Sequence, residues 1–232
     1  MPKKSLAETH PEVAKQWHPT LNVDLTPNDY TKGSDKKVWW KCPEGDDHEW
    51  ESSIYNRSKG NGCPVCSGRK AVNSNCLATL KPELAMEWHP TKNGDLTPYN
   101  VVYKTDKKVW WKCPEGDDHE WESRVDHRSN GSGCPVCSGR KAVNSNCLAT
   151  LNPELAMEWH PTKNGDLTPY HFTNGTHKKV WWKCYKGEDH EWEATISSRT
   201  FNGTNCPICS NKKVVNSNCL ATLNPELAME WH

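Results

Sequence analysis

The sequence predicts a string of small α+β modules, each a β-hairpin with short helices, and three observations predict it. The chain repeats itself, it is rich in Cys and Trp, and it is poor in ordinary core residues. The segment KKVWWKC ends at Cys42, Cys113 and Cys184, a period of 71 residues, and the surrounding sequence recurs with it. Twelve Cys and thirteen Trp stand out in 232 residues. Leu, Ile, Val and Phe together supply only about 14% of the chain, too few for one large core. Units this thin need a cross-link, by metal or disulfide.

The modules are expected at 5–75, 76–146 and 147–218, with 219–232 as the opening helix of a fourth, incomplete one. Ser5 stands where Cys76, Cys147 and Cys219 recur. No Gly/Ser-rich or Pro-rich linker separates the units, so a semi-rigid row with each module leaning on the next is expected. Within a unit, Asn152-Pro153-Glu154 reads as N-cap, first-turn proline and dipole-favoured acid, opening a helix through Trp159. Val38–Cys42 and His48–Ser52 are rich in β-formers and read as the two strands of a hairpin. Trp39 and Trp40 must then point to opposite faces, one inward and one outward.

Each unit carries a Cys-x5-His pair at the hairpin turn and a Cys-Pro-x-Cys pair downstream. These give Cys42, His48, Cys63 and Cys66; Cys113, His119, Cys134 and Cys137; and Cys184, His190, Cys206 and Cys209. Three thiolates and an imidazole are the composition of a closed structural Zn2+ site, so three structural ions are expected. The gap between the pairs is 14 residues in two units and 15 in the third, while spacing within each pair is constant. Ligands fix short spacings and loops absorb insertions. A competing set, Cys63, Cys66, Cys76 and His89, would cross the unit boundary, but it leaves Cys42 and His48 unexplained. Asp47-His48 also resembles the acid–histidine pairs of metal nucleases, yet no second carboxylate cluster accompanies it, and a non-enzymatic protein with no catalytic residues is expected.

The 29 basic and 29 acidic residues cancel, so no general attraction to a polyanion or membrane follows from net charge. Three basic elements persist nonetheless. They are the Lys pairs (Lys36 and Lys37, Lys107 and Lys108, Lys178 and Lys179), the strand lysines (Lys41, Lys112, Lys183) and the arginines (Arg57, Arg128, Arg199). All twelve are candidate phosphate contacts. The segments after HisGluTrpGlu differ between units and could face base edges. No stretch approaches 18 consecutive apolar residues and the first residues contain no apolar run, so a monomer in a reducing, intracellular compartment (cytoplasm, nucleoid or nucleus) is expected.

At WWKC…HEW…R…GCPVCSGR, preceded by EWHPTKNGDLTP, all three units resemble a family of probable zinc-ribbon or treble-clef-like domains. The resemblance implies tandem zinc modules, found often beside nuclease-type domains, whose inferred role is nucleic-acid binding. It carries the ligand role to the four residues of each set. The family's turn is the tighter Cys-x3-His, whereas this chain carries two more residues there. The function expected is thus a zinc-finger array on nucleic acid, most readily DNA. The alternatives are a protein-interaction scaffold or the targeting segment of a larger nuclease-type protein.

Overall fold

A computed structural model describes residues 3–231. They fall into two compact units, 3–112 with 122–132, and 113–121 with 133–231. The division passes through the second repeat, so the first and third repeats show the architecture whole.

In the first repeat two one-turn helices, α1 (Leu6–Thr9) and α2 (Pro11–Ala14), precede a hairpin of β1 (Lys37–Lys41) and β2 (Glu49–Ser53), which runs into α3 (Ile54–Ser58). The helix pair is broken in two because Pro11 restricts the residue before it; His10 takes φ −139°, ψ 63° and stops α1. Ser5 caps α1 reciprocally with Glu8, each side chain bonding the other's backbone N–H. The later repeats follow suit. α4 (Leu77–Leu80), α5 (Pro82–Met86), β3 (Lys108–Lys112), β4 (Glu120–Arg124) and α6 (Val125–Ser129) come from the second, and α7 (Leu148–Leu151), α8 (Pro153–Met157), β5 (Lys179–Lys183), β6 (Glu191–Thr195) and α9 (Ile196–Phe201) from the third. After them come a short 3-10 turn (Asn216–Asn218), α10 (Leu220–Leu223) and α11 (Pro225–Met229).

β1 and β2 are antiparallel with Trp40 opposite Trp50 and Trp39 opposite Glu51. β1 gains a second neighbour on its other edge, where Trp17 bridges Trp40 and the side chain of Asn22 both accepts from the Trp39 N–H (2.8 Å) and donates to its carbonyl (2.9 Å). Asn22 thus plays a strand's part and satisfies an edge that would otherwise be open. The two-residue side-chain period then sorts the tryptophans as expected: Trp40, Trp111 and Trp182 are wholly buried, and Trp39 faces out. Trp17 meets Trp40 edge to face at 5.4 Å, and Leu6, Val38, Trp50, Ile54 and Val65 complete a core of barely a dozen side chains.

Two elements differ from the sequence reading. The helix expected to run through Trp159 ends at Met157, because Trp159 is claimed by its bridge to Trp182 on β5. The segments after HisGluTrpGlu, given no element by the sequence reading, are helices α3, α6 and α9, begun by the wholly buried Ile54, Val125 and Ile196. Ser53 and Thr195 cap two of them, accepting from Asn56 and Ser198 backbone N–H groups.

A candidate metal centre in each repeat

The hairpin turn and the Cys-Pro-x-Cys turn form two knuckles that face each other. In the first, the Cys42 N–H donates to the His48 carbonyl (3.0 Å) and the His48 N–H to the Gly45 carbonyl (3.2 Å). In the second, the Ser67 N–H donates to the Cys63 carbonyl and the Arg69 N–H to that of Pro64 (2.8 Å). That second turn needs a left-handed residue after Ser67. Gly68 and Gly139 supply it at φ +69°, and in the third repeat Asn211 supplies it at φ +54°, Asn being the side-chain-bearing residue that accepts this region most readily.

The knuckles bring together the ligand atoms of the three sets named from sequence, all within 4.8 Å of one another in each cluster. Cys42 and Cys66 sulfurs lie 3.7 Å apart, and Cys66 and Cys63 lie 3.3 and 3.9 Å from His48 Nδ1. The second and third clusters repeat these distances to within about 0.2 Å. Metal–sulfur bonds of about 2.3 Å at tetrahedral angles place sulfurs about 3.8 Å apart, so the residues present fit an ion at the centre of each cluster. Without an ion such a cluster is unfavourable as a set of thiolates: burial and the adjoining Cys42 and Cys63 push the Cys66 thiol up to about 12. A metal must therefore displace protons to bind.

A second layer orients the histidine. With Nδ1 turned to the thiols, Nε2 faces Ser74 Oγ (3.4 Å), and Ser74 donates its Oγ–H and N–H to the two oxygens of Asp47 (2.7 and 2.8 Å). These donations hold the Asp47 carboxyl below its usual range. The same residues recur as Asp118 with Ser145, and Asp189 accepts from the Ser217 N–H. Carboxylate-backed histidines of this kind are the common support of metal ligands. Neither Ser nor the role of Gly45 was found from sequence; the constant Gly-x-Asp-His and AsnSerAsn strings were the available signal.

The cross-boundary set does not form. Cys76 and Cys147 are wholly buried at the starts of α4 and α7, with their sulfurs near Thr79 and Thr150, while His89 Nδ1 accepts from the Thr91 and Lys92 backbones. The small buried thiol is structural, fixed by the Leu77 N–H donating to the Val101 carbonyl (2.9 Å).

The arginines are also not where a phosphate could reach them. Arg57, Arg128 and Arg199 are each at least nine-tenths buried. Arg57 lies between the Trp40 and Trp50 rings, 5.3 Å from each centroid, with Nη2 on Gln16 (2.6 Å) and Nη1 on the Asn61 carbonyl. Arg128 pairs with Glu87, and Arg199 with Glu158 at 2.6 Å. Too few aliphatic residues exist to fill the core, so a stacked guanidinium fills it, and all three leave the set of expected phosphate contacts. The strand lysines Lys41 and Lys183 face Glu49 and Glu191 at 3.1 and 3.8 Å, and Lys112 is half-buried. The pairs Lys36 and Lys37, Lys107 and Lys108, and Lys178 and Lys179 are exposed, with Lys178 Nζ over the Phe172 ring (5.5 Å).

The hairpin, the paired knuckles and the four-ligand clusters define a treble-clef-like zinc-finger module, present three times in tandem. The chain belongs to the family described as a probable treble clef zinc finger domain, whose model matches residues 13–69, 84–140 and 155–212, roughly three quarters of the chain. No curated protein matches it significantly. Among the described residues no helix is long and apolar enough to cross a membrane.

Proposed function

We propose that the three centres hold structural Zn2+ and that the chain is a non-enzymatic array binding nucleic acid, most readily DNA. The observation that carries this reading is the juxtaposition of an invariant basic pair with a variable helix. The Ile54, Val125 and Ile196 N–H groups donate to the carbonyls of Lys36, Lys107 and Lys178, so each exposed lysine pair lies against the start of α3, α6 or α9. Behind the buried first residue, those helices carry Tyr55-Asn56, Asp126-His127 and Ser197-Ser198. Constant cations beside changing polar side chains suit a backbone grip with a separate readout in each module. The closed ligand set, with no open coordination position, supports the structural role for zinc.

The test is a titration of the zinc-loaded chain against random duplex at two salt concentrations. Replacing both lysines of one repeat by Ala should lower the salt slope by up to about 1.8, the share of two phosphate contacts. Absence of binding at low salt with three zinc ions bound would overturn the reading. The balanced charge favours a second reading, a protein-interaction scaffold, which predicts no salt-dependent oligonucleotide binding.

A further inference from the structure

The third repeat departs from the first two at its first knuckle, at the far end of the hairpin from the lysine pairs. After the leading Cys, the first two repeats read Pro43-Glu44 and Pro114-Glu115, whereas the third reads Tyr185-Lys186. The ring of Tyr185 is 86% exposed and Met157, across the groove, is 80% exposed, so neither serves the core. Between them runs an open groove of about 600 Å3, bordered also by Trp159, Pro161, Lys183 and Lys186. The corresponding groove of the first repeat is lined by Lys15 and Lys41 with Glu12 and Asp46; here Lys183 is engaged by Glu191 (3.8 Å), and Lys186 stands beside Tyr185 where the first two repeats carry Glu. The turn that presents Tyr185 is held by the Lys186 N–H donating to Cys184 Sγ (3.5 Å).

We propose that this knuckle is a stacking site for an unpaired nucleotide of a single-stranded nucleic acid, with the base on Tyr185 and the phosphate at Lys186. The inference rests on the nucleic-acid reading above and narrows it. An exposed aromatic face beside Lys186, a cation where the other repeats carry Glu, matches the two halves of a nucleotide, a flat π-system and an anion. A duplex keeps its bases stacked inside and offers nothing to the ring. The reversal from Glu to Lys is confined to this repeat, so the site is single.

The test uses the full zinc-loaded chain with oligo(dT), oligo(rU) and a random duplex. Replacing Tyr185→Pro and Lys186→Glu together installs the residues of the first repeat and should weaken both single strands roughly tenfold, within the range of one lost base stack, while leaving the duplex unchanged. Tyr185→Phe should retain the affinity. A loss confined to oligo(dT) or to oligo(rU) would still support the stacking site and show which of the two strands it holds. The proposal is overturned if single-strand affinity is unchanged in the double variant, or if duplex affinity falls equally. Wild-type binding to duplex alone sinks this inference and spares the array reading, whereas binding to none of the three probes sinks both. Zinc content of three per chain in each variant certifies the fold.

Discussion

Gly45 is the most exacting position in the metal centre for a residue that ligates nothing. A Cβ built on it would stand 2.7 Å from His48 Cδ2, 2.9 Å from Nε2 and 3.1 Å from Cγ, all against the ring itself rather than a flexible side-chain end. Gly116 and Gly187 meet His119 and His190 still more closely, at 2.6 and 2.5 Å. The backbone angle is not left-handed there, so the demand is for space alone. In Gly45→Ala the imidazole must retreat by about 0.7 Å to reach ordinary contact, against a tolerance of about 0.2 Å on a metal–ligand bond. The same movement pulls Nε2 off Ser74. Loss of a supporting residue typically costs about 10–100-fold in metal affinity, and the displaced ligand places this variant at the upper end. Competition of the loaded chain against a graded series of chelators should therefore show one weak and two unaltered zinc ions. Three indistinguishable sites in Gly45→Ala would refute the close-packing argument and the assignment of Nδ1 as the ligand atom.

Other outcomes follow from the same geometry. Arg199→Ala should lower stability by about 3–5 kcal/mol and Arg57→Ala by less, because the first leaves Glu158 as an unpaired carboxylate and the second leaves only a neutral Gln16; thermal melts of the loaded chain compare them. Val23 holds a β-branched side chain at φ +49° where the other repeats have Gly94 and Gly165, so Val23→Gly should stabilise the first repeat by up to about 1 kcal/mol, visible as a raised denaturant midpoint. Glu191 is lowered to about 2 by Lys163 and His160, so its contribution is complete above its ordinary value of 4.5 and is lost as pH falls towards 2. Lys163→Leu, the residue at this place in the first repeat, should move its carboxyl carbon titration by NMR back towards the ordinary value.

Much of the module was legible in its residues because metal ligation and pleating both impose fixed spacing. Cys42, His48, Cys63 and Cys66 could be read as one site from the constancy of the short gaps, and Val38-Trp39-Trp40 as a strand with one inward ring from the two-residue period. What could not be read came from side chains that act across space. Arg57 was read as a phosphate contact because its constant spacing from HisGluTrp is the same for a ligand contact and for a core stack; only the pairing of Trp40 with Trp50 decides it. The helix at α3 was hidden because five residues beginning with one apolar side chain show no helical period at all. Trp159 appeared helical by its spacing from Leu155, but an edge strand that needed a partner took it.

The thin core explains why the supporting layer of the metal reaches so far along the chain. Ser74 is bonded to Asp47, beside one ligand, and stands two residues before Cys76, which opens the helix pair of the next repeat and bridges Val102. The metal histidine is thereby connected through two hydrogen-bonded residues to the point where the following hairpin acquires its helices. In the third repeat Asp189 and Ser217 stand in the same relation to Cys219. Spacers of Gly and Ser would have left each junction loose; nine residues between Cys66 and Cys76, tied at Ser74, cannot swing freely while the ion holds His48. Binding of a metal at a centre should therefore order the junction behind it, and removal of the metal should raise hydrogen exchange at the Ser74 N–H together with that at the Cys42 N–H.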